Sequence, residues 1–426
     1  MTLDIKPTEY FSLATVSSKK SDIVKAIITT DAHDQNNLNQ QAVEYLYLDM
    51  LLSGSGTYSR EEFLDAVNML GASIDVNITE GKVSFVLQST AAQFSKLLAL
   101  FKTMLQEPIF SATELKRVKN TTLNQLHQAK EDSKSIALDE LRNLFYGVAD
   151  RKYTYSIEDS MLEVPKVTLA QLKSFHQSVQ VNHWFCSVGG DKTTISLFEK
   201  FLKANKKTND VVEGTHQPKP PNPVLQLANI PSRQNIDLSI GLPLPITRSH
   251  PDFIPLGFAV AVLGKAGGFA GRLMSTVREK EGLTYGIYAQ LEGFATDEQG
   301  YLRIMTFFAP DKAVEGLGST FREVKKLYQS GVTQAEVTAF KTILSTQQSL
   351  VKDSFGRMLA DVHAYQSEGF SIAQMEEHKR ALYAVTRADI NRVIKIYLDP
   401  ALLSVSGAGP TIGVQKELRA WYQSVQ

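Results

Sequence analysis

The same order of helix and strand signals occurs twice in this chain, once on each side of a Pro-rich stretch. That repetition restricts the fold to two related domains. Ser111-Ala-Thr-Glu114 and Thr333-Gln-Ala-Glu336, 222 positions apart, both have the capping-box form: a hydroxyl accepts an orphan backbone N–H and the Glu reaches back to the cap residue. Each opens a helical pattern, through Leu115, Val118, Thr122, Leu126 and Ala129 in the first half and Val337, Phe340, Leu344 and Val351 in the second. Thr168-Leu-Ala-Gln171 and Thr386-Arg-Ala-Asp389, 218 positions apart, start a further matched pair. Between the halves, Pro218, Pro220, Pro221 and Pro223 favour extended backbone, so 214–232 reads as a linker between domains at 1–213 and 233–426.

Strand patterns repeat as well. Ile74, Val76 and Ile78 alternate with polar residues, Glu80-Gly81 allows a turn, and Val83, Phe85 and Leu87 resume the alternation. In the second half, runs at 285–290 and 302–308 flank Asp297-Glu-Gln-Gly300 in the same way. Polar-outside alternation followed by long amphipathic helices predicts an α+β fold with an antiparallel sheet and helices on one face, twice over.

Composition removes several functions. Lys+Arg and Asp+Glu are both 45 and no basic run occurs, so there is no electrostatic case for nucleic acid or an anionic membrane surface. Cys186 stands alone, which excludes an intrachain disulfide and a thiolate metal cluster and reads as core filling. No stretch reaches the roughly 18 apolar residues of a membrane span. The opening Met-Thr-Leu-Asp-Ile-Lys-Pro lacks the basic-then-apolar pattern of a secretory signal, so a soluble chain is expected. The compartment stays open between the cytoplasm and, were a signal removed, the periplasm.

The run from Leu263 to Tyr285 carries the strongest chemical signal. Leu273 and Val277 have helical spacing, Gly282 suits a left-handed helix stop, and Leu283, Tyr285, Ile287 and Ala289 alternate as a strand. Arg278 is thus expected in a last helical turn and Tyr285 on the following strand; a cation suits that end of the helix dipole and Tyr is a good strand former. Gly264, Gly267, Gly268 and Gly271 fit neither glycine fingerprint for nucleotides, since no Lys-Ser/Thr follows and no βαβ unit with a downstream acid surrounds them. They read as a turn that lets backbone approach a peptide or a partner.

This order of Gly-rich turn, Arg-Glu-Lys-Glu-Gly-Leu and Tyr resembles the C-terminal signature of the pitrilysin/insulinase family of zinc metallopeptidases. The resemblance implies that Arg278 holds a substrate backbone carbonyl and that Tyr285 donates to the oxyanion formed at the scissile carbonyl. It also implies a zinc-binding helix in the first half, where two histidines at i and i+4 enclose a glutamate base. Position by position, Tyr45 stands at the first histidine, Leu48 at the glutamate and Asp49 at the second histidine, while the family spacing points to Gln125 for the third ligand. A leucine cannot take a proton from water, and an amide is a poor zinc ligand beside a carboxylate. The histidines at 33, 127, 176, 183, 216, 250, 363 and 378 include no i, i+4 pair. Tyr45, Leu48 and Asp49 are expected to fill the space of the metal site, and no metal is expected on this chain.

The resemblance therefore implies a subunit inactive alone, with a homologous catalytic chain supplying zinc and the glutamate base, a peptide as substrate, and a homodimer when the partner is missing. A structural or scaffold protein of the same fold, as the core subunits of a respiratory complex resemble this family, is the alternative, and a homodimeric peptide-binding protein a third.

Overall fold

In the computed structural model, which describes residues 2–8, 11–17, 22–32, 36–205, 217–265, 271–295 and 297–426, the chain packs as two units. Each is built on one sheet. The first sheet contains β1 (Thr2–Pro7), β2 (Phe11–Ser17), β3 (Ile23–Asp31), β4 (Ser73–Thr79), β5 (Lys82–Thr90) and β6 (Trp184–Gly190), in the spatial order β1-β2-β6-β3-β5-β4. The second contains β7 (Leu225–Asn229), β8 (Ile236–Thr247), β9 (Ile287–Glu292), β10 (Gln299–Phe308) and β11 (Ser404–Gly409), in the order β9-β10-β8-β11-β7.

Apart from β1, the two sheets have the same connectivity, with β2, β6, β3, β5 and β4 matched by β7, β11, β8, β10 and β9. Directions match too: β2 runs parallel to β6 and β7 parallel to β11, and the remaining neighbours are antiparallel. The single parallel pair in each sheet departs from an all-antiparallel expectation. It joins strands far apart in sequence, as a parallel pair must, because only a long crossover can bring both ends to the same side.

Local chemistry sets the elements as the sequence predicts. Thr168/Gln171 and Thr386/Asp389 form reciprocal capping boxes, and Thr333/Glu336 does so with both bonds in place. At the fourth site Ser111 accepts from the Glu114 N–H, but the Glu114 carboxylate turns to Arg117 instead of back to the cap. Glu80 and Gly81, with φ of 51° and 75°, make the β4–β5 turn, the left-handed pair that matches the twist of a two-residue hairpin.

Membership of the units does not follow the halves of the sequence. The first unit takes Met1–His127, Tyr155–Gly214 and Ser349–Met375; the second takes Gln128–Thr154, Thr215–Gln348 and Glu376–Gln426. The helix Ser133–Phe145 packs on β7, β8 and β11, and the helix Phe355–Ser367 packs on β2, β3 and β6. These helices start 222 positions apart, the offset of the capping boxes (355 − 133 = 222), so the equivalent helix of each repeat lies on the other repeat's sheet. The contiguous domains 1–213 and 233–426 are corrected accordingly. Within 214–232, Leu225–Asn229 is a strand of the second sheet rather than linker, and 206–216 lie outside the described residues.

Each sheet thus carries helices on one face and a borrowed helix on the other. In the first unit, Phe63, Phe85, Phe94, Phe101 and Cys186 belong to the main core, while Ala14, Val16 and Ile27 on the opposite face meet Leu359, Val362, Tyr365, Phe370 and Met375. Gly189 makes room for the Phe355 ring, since a Cβ there would lie 2.2 Å from it. Gly241 does the same for Leu141 and Phe145 in the second unit.

A polar chain runs beneath the borrowed helix of the first unit. His363 Nε2 lies 2.9 Å from Thr29 Oγ1 and its Nδ1 2.9 Å from Ser187 Oγ, which donates to Gln366 Oε1. Burial lowers the His363 pKa from 6.5 to about 4. The unfolded chain takes up this proton near pH 6.5 and the folded chain only near 4, so the stability that depends on neutral His363 is complete above the first value and is lost as pH falls toward the second. A loss of about 2 kcal/mol between pH 7 and 5 is expected. Denaturant midpoints at both pH values should show it, and His363→Gln should flatten the dependence.

Candidate functional site

The connection between the Gly-rich turn and β9 holds both residues that the sequence singles out. Arg278 lies in Met274–Lys280, a stretch wound with i→i+5 bonds, such as Glu281 N–H to the Thr276 carbonyl at 3.0 Å, rather than in the expected α-helical turn. Such wide turns are rare and occur often at functional sites. It ends as predicted at Gly282, with φ of 67° and its N–H on the Arg278 carbonyl at 3.0 Å. Arg278 is half-buried.

Tyr285 is not on the strand, which begins at Ile287. It sits on a short turn whose neighbours are pinned from below. The Gly286 N–H donates to Thr284 Oγ1 at 3.2 Å, and the Thr306 hydroxyl from β10 donates to the Gly286 carbonyl at 3.1 Å while lying 3.3 Å from Thr284 Oγ1. Both threonines are buried, whereas the Tyr285 side chain is 83% exposed. A fixed backbone therefore presents a phenol to the exterior of its unit. The sequence shows two threonines; their convergence on one turn depends on the Ile287–Thr306 strand register, which the sequence alone does not provide.

Gly264 and Gly271 are used for internal packing. A Cβ on Gly264 would lie 2.6 Å from the Ala289 nitrogen, and one on Gly271 would lie 2.7 Å from the Gly264 Cα. The expectation that these two open the backbone to a peptide or partner is corrected on that ground, while Gly267 and Gly268 lie outside the described residues. Below them Arg272 donates to both carboxylate oxygens of Glu336, at 2.7 and 2.8 Å, and to the Gly331 carbonyl. Burial opposes ionisation of Glu336, yet Arg272 and the Thr333 backbone hold its carboxyl below the usual range.

In the first unit, Tyr45, Leu48 and Asp49 share one face of the helix Leu38–Leu51, the face turned from its buried residues Val43, Leu46, Tyr47 and Met50. They do not fill a cavity as expected: Tyr45 is 38% exposed and the other two are half-buried. The tyrosine that fills the core is Tyr47, whose hydroxyl donates to His176 Nδ1 at 2.8 Å, leaving His176 Nε2 on the Leu105 carbonyl. Gln125 is exposed on the helix Ala112–Ala129. These two helical segments are tied through Ser53, which donates to the Asp49 carbonyl and accepts from Arg117, itself on Glu114. The four positions offer zinc one carboxylate, one amide, a phenol and an aliphatic chain, which is no fit. Among the described residues, no group of three His, Cys, Asp or Glu side chains could hold a metal ion.

Sequence models of the insulinase family, peptidase family M16, match residues 14–154, and of the peptidase M16 inactive domain, residues 166–344. The chain belongs to the M16 insulinase family. Among M16-related proteins, the non-peptidase homolog YmxG of Helicobacter pylori is 20% identical over 368 residues, covering 85% of this chain and 83% of that protein. The crystal structure of a peptidase M16 inactive domain from Pseudomonas fluorescens superposes with a TM-score of 0.84 at 22% identity, covering 97% of this chain and 99% of that one. A protease structure from Helicobacter pylori gives 0.80 at 14% identity, over 96% and 99%. The repeated units are thus the M16 fold. Among the described residues, no helix of this M16 chain is long and apolar enough to cross a membrane.

One buried ionic cluster escapes sequence analysis altogether. Lys152, 1% exposed, lies 2.8 Å from Glu298 Oε2 and donates to the Gly293 carbonyl at 2.6 Å, and Arg151 pairs with the other Glu298 oxygen. It ties 150–153 to the β9–β10 hairpin that follows Tyr285. Glu298→Ala leaves the buried Lys152 ammonium facing carbonyls alone and takes a carboxylate from Arg151, and a loss of about 3–5 kcal/mol is expected, read as a lowered denaturant midpoint.

Proposed function

We propose that this chain is the non-catalytic subunit of a two-chain M16 peptidase. It supplies Tyr285 and Arg278 to a peptide, and a homologous partner with an intact zinc motif supplies the metal and the glutamate base. The observation that carries this reading is the Tyr285 phenol, exposed on a turn fixed by Thr284 and Thr306. A donor held still before the reaction needs no reorganisation when charge develops on a carbonyl oxygen, which is the condition for oxyanion stabilisation. Arg278 stands seven residues before it on the same connection, and its guanidinium suits a substrate carbonyl. The poor ligand set of Tyr45, Leu48, Asp49 and Gln125 supports assigning zinc to the partner.

Mixing this chain with an M16 homologue that carries the zinc motif, followed by size-exclusion chromatography with light scattering, tests the pairing. A one-to-one complex is expected. Persistence of two separate species at micromolar concentration would overturn the heterodimer.

The scaffold reading draws on one observation, the description of the Helicobacter pylori relative as a non-peptidase homolog. It keeps the fold but gives Tyr285 no chemical part.

A further inference from the structure

The helix Ser133–Phe145 packs on β7, β8 and β11, and beside it the same sheet face continues onto β10 and β9, where a cavity of 340 Å³ opens. Strand register builds the floor: Met305 lies between Tyr288 and Ser239, and Phe307 lies opposite Asp237. Met305 and Phe307 are only half-buried, and Tyr285 and Tyr288 form the adjoining wall. We propose that this cavity is a side-chain pocket for a bulky uncharged residue, an aromatic one foremost, of the extended peptide on whose scissile carbonyl Tyr285 acts. This rests on the reading of Tyr285 above and adds a substrate class to it.

Size and charge select the occupant. The volume is at the low end of the roughly 300–1,000 Å³ of ligand pockets, so it suits one large side chain with adjoining backbone. Two of the three charged side chains in the lining already have partners. Arg303 pairs with Glu292 at 3.2 Å and reaches Ser239 Oγ at 3.3 Å, and Asp237 accepts from the Ser133 hydroxyl. A peptide carboxylate or ammonium on this floor loses water and meets only these engaged groups and the solvent-screened charge of exposed Lys134. Lys134, exposed at the start of the helix, repels a cation and can lie over the face of an aromatic ring. The Met305 thioether and the rings of Tyr288 and Phe307 offer edge and sulfur contacts to the same ring.

The test uses the full chain labelled with ¹³C-methyl methionine, with the Met305 signal identified by its absence in Met305→Leu. Blocked pentapeptides of the form acetyl-Gly-Gly-X-Gly-Gly-amide, with Phe, Leu, Lys or Asp at X, are titrated in. The Phe peptide should shift the Met305 methyl upfield and saturably, the Leu peptide less, and the Lys and Asp peptides should bind at least about tenfold more weakly. A Met305 signal that does not move, that moves equally for all four, or that shifts with protein concentration alone as for a second copy of the chain, would overturn the pocket. The oxyanion role is read separately, from turnover of the two-chain complex carrying Tyr285→Phe. Selective Phe-peptide binding with undiminished turnover of that complex would remove the oxyanion role and leave the pocket. Lost turnover without preference at X would do the reverse.

Discussion

Tyr285→Phe is expected to lower the turnover of the two-chain complex by about 10²- to 10³-fold, with the complex still forming at the same concentrations. The substitution removes one hydroxyl from a side chain that is 83% exposed, so neither the core nor the turn held by Thr284 and Thr306 changes. A donor that acts only on the developing oxyanion contributes little to ground-state binding, so kcat should fall and KM should move by less than about threefold. A rise in KM at constant kcat would make Tyr285 a binding residue instead. Steady-state kinetics on one quenched peptide, with assembly checked by light scattering, separates these outcomes.

A fragment of residues 1–213 should fail to fold cooperatively by itself. It contains the whole first sheet but lacks Phe355–Ser367 and the residues after it, leaving Ala14, Val16 and Ile27 without Leu359, Val362, Tyr365, Phe370 and Met375. Burying those five large side chains is worth about 10 kcal/mol at roughly 1.5–3 kcal/mol each, an upper figure since the unfolded chain already hides part of them. That is comparable to the entire stability of about 5–15 kcal/mol typical of a domain. The fragment also keeps Ser133–Phe145, whose sheet is absent, and so exposes a second apolar face. Broad, non-cooperative urea unfolding with dye binding is expected, and co-expression with residues 217–426 should restore a sharp transition. A sharp native-like transition of 1–213 alone would contradict the exchange of helices.

Sequence legibility follows the range of the interactions. The duplication, the capping boxes at Thr168, Thr333 and Thr386, the Glu80-Gly81 turn and the Gly282 stop rest on contacts within a few residues, and each is visible in the chain. The destination of an amphipathic helix is not. The pattern of Leu359, Val362 and His363 states that one face is buried but carries no address for the sheet, so contiguous domains were the natural expectation. The same holds for Tyr45 and Tyr47, two residues apart on one helix, of which only the rotation of that helix decides which fills the core. Tyr285 falls off its strand because Thr306, brought alongside by the β9–β10 register, bonds the Gly286 backbone. Lys152 and Glu298 stand 146 positions apart, beyond any local signal (298 − 152 = 146).

Hydrolysis of a quenched peptide library by this chain alone, by a zinc-motif M16 partner alone and by the two mixed at matched zinc tests the central claim most directly. Activity in the mixture well above that of the partner alone, with none from this chain by itself, is the predicted result. Zinc-dependent hydrolysis by this chain alone, or a demonstrated complex that cleaves no faster than the partner, would contradict it.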